Sequence, residues 1–152
     1  MDDPPHSRIR VLLDANVLIS HLLGGGAEST IGQTFRIAFG WRFDLVVPAD
    51  LLDELQNCRM KPYLAEKITE SQVNRLVDDL EFMGTIVHPV RMGHSRILRD
   101  RGDDYLLSTS VLNDVEIIVS GDKHLLNLRG ILESPRIMSP ADFVAEFGDV
   151  DR

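Results

Sequence analysis

Cysteine, excess positive charge and long apolar runs are all scarce in this chain, and each shortage closes off a class of protein. The single thiol, Cys58, cannot form an internal disulfide, which suits a reducing cytoplasm, and it reads as a small apolar helix residue. No apolar run approaches the roughly 18 to 20 residues that cross a bilayer. The opening Met1-Asp2-Asp3-Pro4-Pro5 is acidic and broken by proline, without the basic and apolar regions of a secretory signal. A soluble, cytoplasmic protein with no membrane partner is expected. There is no Cys/His set at zinc spacing, no internal repeat and no low-complexity tract. Acids outnumber Lys and Arg by 24 to 16, a formal charge of −8, which argues against a grip on nucleic acid by bulk electrostatics. That objection weakens where several acids surround one cation, because they then cease to act as a surface field. A chain of 152 residues is long enough for one well-buried core. The expected organisation is a disordered lead over 1–8, a single domain over 9–147 and a tail over 148–152.

The stretch Arg10-Val11-Leu12-Leu13-Asp14-Ala15-Asn16-Val17-Leu18-Ile19 organises the rest. An apolar run that ends on a carboxylate and passes into a second apolar run reads as a buried parallel strand, 9–13, feeding a helix to Leu22. Asp14 then sits just past the strand's carboxyl end, the edge at which open α/β sheets bind ligands. Gly24-Gly25-Gly26 stops the helix and leaves a hinge; without the Lys-Ser/Thr of a P-loop it is no phosphate cradle. Apolar positions at spacings of three and four predict a helix from Ser29 to about Trp41. Asp44 to Pro48 reads as a second strand and Pro48 to Met60 as a helix carrying Glu54. A helical pair split near Thr69-Glu70-Ser71 follows, then a third strand from Gly84 to Val90. Next comes a basic patch of Arg91, His94, Arg96, Arg99 and Arg101. Asp103-Asp104 opens a helix to Leu112, with carboxylates at the positive end of its dipole. Val115 to Val119 reads as a fourth strand, and Ser120-Gly121-Asp122 turns into a helix around 124–128. Arg136 to Met138 leads through Ser139-Pro140, a good helix start, to Phe147. This alternation predicts an α/β fold, a three-layer α/β/α sandwich around a largely parallel sheet of four to five strands.

On this layout Asp14, Asp104 and Asp122 lie at strand ends or helix starts on one side of the sheet, and Glu54 projects from a helix that begins there. Carboxylates gathered within a few ångströms repel one another and take up protons unless a cation sits among them. Ligation by oxygens alone, with waters completing the shell, suits Mg2+ or Mn2+. Such a site activates a water and stabilises the charge that builds on a phosphoryl oxygen, with one ion or two. Each acid alone has a plainer reading. Asp14 and Asp122 could cap helices, Asp103 and Asp104 could complement a helix dipole, and Glu54 could be a solvated surface acid. All four at matching strand ends make coincidence the weaker account.

The chain resembles the PIN-domain family in its small, free-standing prokaryotic form, often the toxin of a toxin–antitoxin pair. Leu13-Asp14-Ala15-Asn16-Val17-Leu18 carries the first motif, and Pro48 with Leu51-Leu52-Asp53-Glu54-Leu55 the second. Arg99-Asp100-Arg101-Gly102-Asp103-Asp104-Tyr105-Leu106-Leu107 carries the third, and Ile118-Val119-Ser120-Gly121-Asp122-Lys123-His124-Leu125 the fourth. The ending Ile137-Met138-Ser139-Pro140-Ala141-Asp142-Phe143 is also similar, so the likeness runs from about Ile9 to Phe147. It implies a metal-dependent ribonuclease in which Asp14, Glu54, Asp104 and Asp122 are the catalytic and metal-holding acids. Asn16, Asp103 and Ser120 would support them, Mg2+ or Mn2+ would be the cofactor, RNA the substrate and an antitoxin protein a partner. Asp104 is favoured over Asp103 to face the metal, since Asp103 is better placed to cap the helix. Ser108, Thr109 and Ser110 depart from the pattern, which more often has small apolar residues there.

Arg96, Arg99, Arg101 and Lys123 are candidate RNA contacts, where phosphates would meet local cations whatever the net charge. Plain solvated side chains are the competing reading. His94 and His124 lack the partner that a general base needs. Most of Phe39, Trp41 and Phe43 is expected in the core, and an exposed remainder would suit a homodimer face or a bound antitoxin segment. A haloacid-dehalogenase-type phosphatase wants a second aspartate two residues after Asp14, where Asn16 stands. A receiver-like module wants extra acids beside the first strand, and they are missing. The surviving alternative is a non-catalytic PIN-like module that binds RNA or protein. Against it stands the full acidic set, since buried carboxylates without a use only cost stability.

Overall fold

The computed structural model describes residues 8–88 and 102–148, apart from the side chains of Asp103 and Asp104. The basic patch from Arg91 to Arg101, the lead before Arg8 and the tail beyond Gly148 lie outside the described residues, so those expectations have no structural counterpart.

Five strands form one sheet in the order β3-β2-β1-β4-β5, and every neighbouring pair is parallel. They are β1 (Ile9–Leu13), β2 (Phe43–Pro48), β3 (Thr85–Val87), β4 (Ile117–Val119) and β5 (Arg136–Met138). The helices are α1 (Ala15–Leu22), α2 (Thr30–Ala38), α3 (Ala49–Gln56), α4 (Pro62–Ala65), α5 (Glu70–Met83), α6 (Gly102–Leu112), α7 (Lys123–Leu126) and α8 (Pro140–Phe147), with a 3-10 turn over Cys58–Met60. The α/β sandwich read from the alternation is therefore the fold, and its sheet has five strands, all parallel.

Strands buried on both faces must be apolar at every position, and alternate residues must feed different cores. Val11 and Leu13 of β1 join Leu45, Val47, Ile117 and Val119 in a large cluster packed by α1, α2, α3, α5 and α8. Leu12, Val46, Ile118 and Ile137 point the other way, to a smaller cluster with Leu106 of α6 and Leu125 of α7. The chain runs outward from β1 to β3 with its helices on the first face. It then crosses back to β4 and β5 with helices on the second, as one-handed crossovers require when the direction of travel reverses. The reversal puts a topological switch point between β1 and β4, where the carboxyl ends of those strands leave a crevice.

Local chemistry sets where elements stop. Gly24, Gly25 and Gly26 all take positive φ, 112°, 126° and 74°, so the joint after α1 is one that only glycine adopts freely. The helix expected to reach Trp41 ends at Ala38, where the Gly40 N–H turns back to the Ile37 carbonyl at 2.9 Å. The helix expected to reach Met60 ends at Gln56, because the Asn57 side-chain amide bonds the Asp53 carbonyl at 3.0 Å and the chain tightens into the 3-10 turn. Cys58 is buried in that turn rather than on an α-helix. Strand β4 starts at Ile117 and not Val115, since Asp114 has φ 57° and the Val115 N–H returns to the Ser110 carbonyl. Among the described residues no helix is long and apolar enough to cross a membrane.

Candidate active site

Charge is handled differently at the two ends of the sheet. Towards the amino ends, Asp44 accepts from Arg10 Nη1 at 2.8 Å and from Thr85 Oγ1 at 2.8 Å, so both of its oxygens are satisfied across three strands. At the carboxyl ends acids accumulate. Asp14 leaves β1 as the N-cap of α1, and its own N–H donates to the Val119 carbonyl at 2.9 Å. Only 9% exposed, it accepts at Oδ1 from the Ala15 N–H at 2.6 Å and at Oδ2 from the Ser120 hydroxyl at 2.7 Å. Ser120, fully buried at the end of β4, accepts in turn from the Asp122 N–H at 2.9 Å. Asp122 caps α7 by accepting the His124 N–H at 2.9 Å, and Asn16 Oδ1 accepts the Gly121 N–H at 3.3 Å. Ser120 and Asn16 thus tie the first strand end to the turn after the fourth. The capping reading and the site reading of Asp14 and Asp122 are compatible, because a cap uses only part of a carboxylate's capacity to accept.

Asp14, Asn16 and Asp122 line one cavity of about 410 Å3 together with Glu54 of α3, Lys61, Tyr63 and Tyr105. Burial pushes the Glu54 carboxyl above its ordinary range, the Asp14 charge pushes it further, and Lys61 opposes both. The Tyr105 hydroxyl is buried beside the Leu51 backbone, outside strict hydrogen-bond geometry with any of the described residues. Burial, then the charges of Asp50, Glu54 and Asp14, push its pKa strongly upward, so it keeps its proton. Lys61 is the one cationic residue among the described residues of the lining. A larger cavity of about 510 Å3 lies between β5 and α8, but its charges are paired within it, Arg129 with Asp142 and Arg136 with Glu146.

Of the residues singled out from the sequence, Asp14, Asn16, Glu54 and Asp122 meet at this cavity and Ser120 lies directly behind it. Lys123 and His124 are exposed on α7 and do not line it. Asp103 and Asp104 stand in the first turn of α6, immediately before the lining residue Tyr105, with their side chains outside the described residues. Arg96, Arg99 and Arg101 lie outside them altogether. Sequence reasoning missed Lys61, Tyr63 and Tyr105. The signal available was the Lys61-Pro62-Tyr63 triplet just after the helix of Glu54, and an aromatic directly after Asp104.

Among the described residues no three His, Cys, Asp or Glu side chains form a ready metal cage. The donor set still fits a hard cation that keeps several waters. It is all oxygen, and Asp14, Glu54 and Asp122 line one cavity large enough for a hydrated ion, about 410 Å3.

A parallel α/β sheet with acids gathered at its switch point defines the class: a doubly wound protein with an acidic edge. The sequence pattern of the PIN domain matches residues 10–124, and the chain belongs to that family. PIN domains are in general metal-dependent nucleases. No curated protein matches the chain.

Proposed function

We propose that this PIN domain is a metal-dependent endoribonuclease that hydrolyses RNA phosphodiester bonds in the pocket of Asp14, Glu54 and Asp122, with Asp104 as the fourth acid. The observation that carries this reading is the imbalance of charge. Three carboxylates face a cavity whose described lining holds one cation, whereas Asp44 at the other end of the sheet is fully paired. Mg2+ or Mn2+, held by the four acids, would supply an activated water and stabilise charge on the phosphoryl oxygen when bound.

The chain's own residues do the rest. Ser120 and the Ala15 N–H fix the Asp14 carboxylate in one orientation. Asn16 holds the Gly121 turn and so places Asp122. Glu54 takes up a proton more readily than a free glutamate, which relieves its repulsion from Asp14 when no cation is present. Tyr105 keeps its proton and so adds no further negative charge beside the acids.

The role proposed for it is that of a cytoplasmic toxin held by an antitoxin protein, and exposed Trp41 supports a homodimer. The test is incubation of a mixed pool of single-stranded and structured RNA with Mn2+ or Mg2+, then with EDTA, alongside Asp104→Asn. Cleavage that needs the metal and disappears in the variant is expected. Equal cutting by both proteins would overturn the assignment, and cutting by neither would leave a non-catalytic RNA- or protein-binding module.

A further inference from the structure

We propose that the free edge of β5 is a docking site for polypeptide: an extended, basic segment of a partner protein adds a strand to the sheet in the cavity between β5 and α8. The site depends neither on the acidic pocket nor on the ribonuclease reading.

β5 is the last strand of the sheet and pairs with β4 alone. The Arg136 N–H donates to the Glu116 carbonyl and the Ser120 N–H donates to the Met138 carbonyl, each at 2.9 Å. In a parallel ladder alternate residues direct both backbone groups to one neighbour, so residues 136 and 138 serve β4 and the residue between them turns away from it. That residue is Ile137, and neither its N–H nor its C=O has a hydrogen-bond partner among the described residues. Exposed edge groups ordinarily bond bulk water, but Ile137 is only 5% exposed and borders the cavity of about 510 Å3. Buried backbone groups are nearly always paired, so an unpaired pair beside a cavity marks a place for a ligand. One donor and one acceptor on the same strand residue is the pattern that a second extended backbone matches with its own C=O and N–H.

The side chains of the cavity suit such a segment. Leu132, Met138 and Ala145 give it an apolar lining, where alternate side chains of an added strand find cover. Charge decides the rest. Asp142 and Glu146 are paired with Arg129 and Arg136, yet their side chains remain 53% and 44% exposed. A carboxylate has about four acceptor sites, whereas Asp142 accepts one bond from Arg129 and Glu146 two from Arg136. A lysine on an added strand can therefore join each acid without displacing its arginine. Locally the two signs balance, so the net charge of −8 sets the sign of the partner, drawing in a basic segment and turning away an acidic one. Charges beside an edge strand also guard it against random pairing. A guard needs no cavity, and here the outward backbone groups and the acids border one.

The test titrates the full chain with the peptide Gly-Lys-Val-Lys-Val-Lys-Gly and follows backbone amides by NMR. One comparison peptide has Glu in place of each Lys, and another is N-methylated at its three central residues, which removes the backbone donors in either register. The basic peptide is expected to bind saturably and to shift the Ile137 amide, with an affinity at least about fivefold above that of the acidic one. N-methylation should weaken it about fivefold, the loss of one backbone hydrogen bond. Ala145→Phe, at an exposed helix position that lines the cavity, should weaken binding about tenfold by filling the space, with a native circular-dichroism spectrum. No saturable binding up to about 1 mM, equal affinity for the acidic or the N-methylated peptide, an Ile137 amide unmoved by the bound peptide, or Ala145→Phe binding as wild type does would each overturn the site. So would an Ile137 amide protected from hydrogen exchange in the free protein and released, with a halved mass, by Ala145→Phe, since a second copy would then hold the edge.

Discussion

Asp14 shows how much one residue can be asked to do. It terminates β1, caps α1, accepts from Ser120 and faces the pocket. Both of its oxygens are already engaged in hydrogen bonds that fix it in place, which is what a metal ligand needs from its supporting groups. Glu54 is the less settled partner, and its pH behaviour reports the strain. Its folded pKa lies above the ordinary 4.5, so the native state binds its proton more tightly than the unfolded chain does. Stability is therefore lost as pH rises from the unfolded value through the folded one, and the loss is complete at higher pH. Without metal, Glu54→Gln should melt about 1–2 °C above wild type at pH 7, with no gap below pH 4.5 and a reversed order in Mn2+. Equal melting temperatures at pH 7 would show that neither burial nor the Asp14 charge penalises the Glu54 carboxylate. The acids were legible in the sequence because a carboxylate at the end of an apolar strand is conspicuous. Lys61 and Tyr63 were harder to read, because the Lys61-Pro62-Tyr63 triplet marks a helix start without showing what that helix borders until the fold does.

At the scale of elements, the site depends on β1 and β4 lying side by side, and the rest of the sheet on how closely α5 approaches β2. Thr69 begins α5 with a capping box, its hydroxyl accepting the Gln72 N–H at 3.1 Å while the Gln72 side chain accepts the Thr69 N–H at 2.8 Å. Gly84 ends it, and there a Cβ would stand 2.6 Å from Val47 Cγ2, 2.8 Å from the Leu80 carbonyl oxygen and 3.2 Å from that of Leu45. Two of those neighbours are backbone and cannot swing aside. Gly84→Ala should therefore destabilise the protein by about 1–3 kcal/mol, read as a lower midpoint in urea; an unchanged midpoint would mean that helix and strand separate easily. Strand positions were legible because doubly buried strands are apolar at every residue. Helix ends were read too long where periodicity ran on past Ala38 and Gln56. Periodicity carries no warning of a side-chain amide or a glycine that offers the backbone a competing bond.

At the scale of the whole molecule, a net charge of −8 coexists with acids that are individually paired. Asp44 and the acids beside β5 are paired, whereas Asp14, Glu54 and Asp122 share a pocket whose described lining holds one cation, Lys61. The aromatic cluster expected near Phe39 divides in a similar way. Phe43 is in the core at 3% exposure, Phe39 is partly buried against it, and Trp41 is 76% exposed. Trp41→Ser is thus a cleaner probe of the proposed homodimer than any change at Phe39, which would disturb packing. It should convert the dimer to a monomer by light scattering, and an unchanged mass would remove this face from the interface. A divalent cation at Asp14, Glu54 and Asp122 is central to the proposed activity. Titration of Mn2+ into the protein by calorimetry tests it most directly. Saturable binding is predicted for wild type, weakened about 10–100-fold in Ser120→Ala, which loosens Asp14 without removing it, and abolished in Asp14→Asn. Mn2+ binding that is absent from wild type, or equally strong in Asp14→Asn, would contradict it.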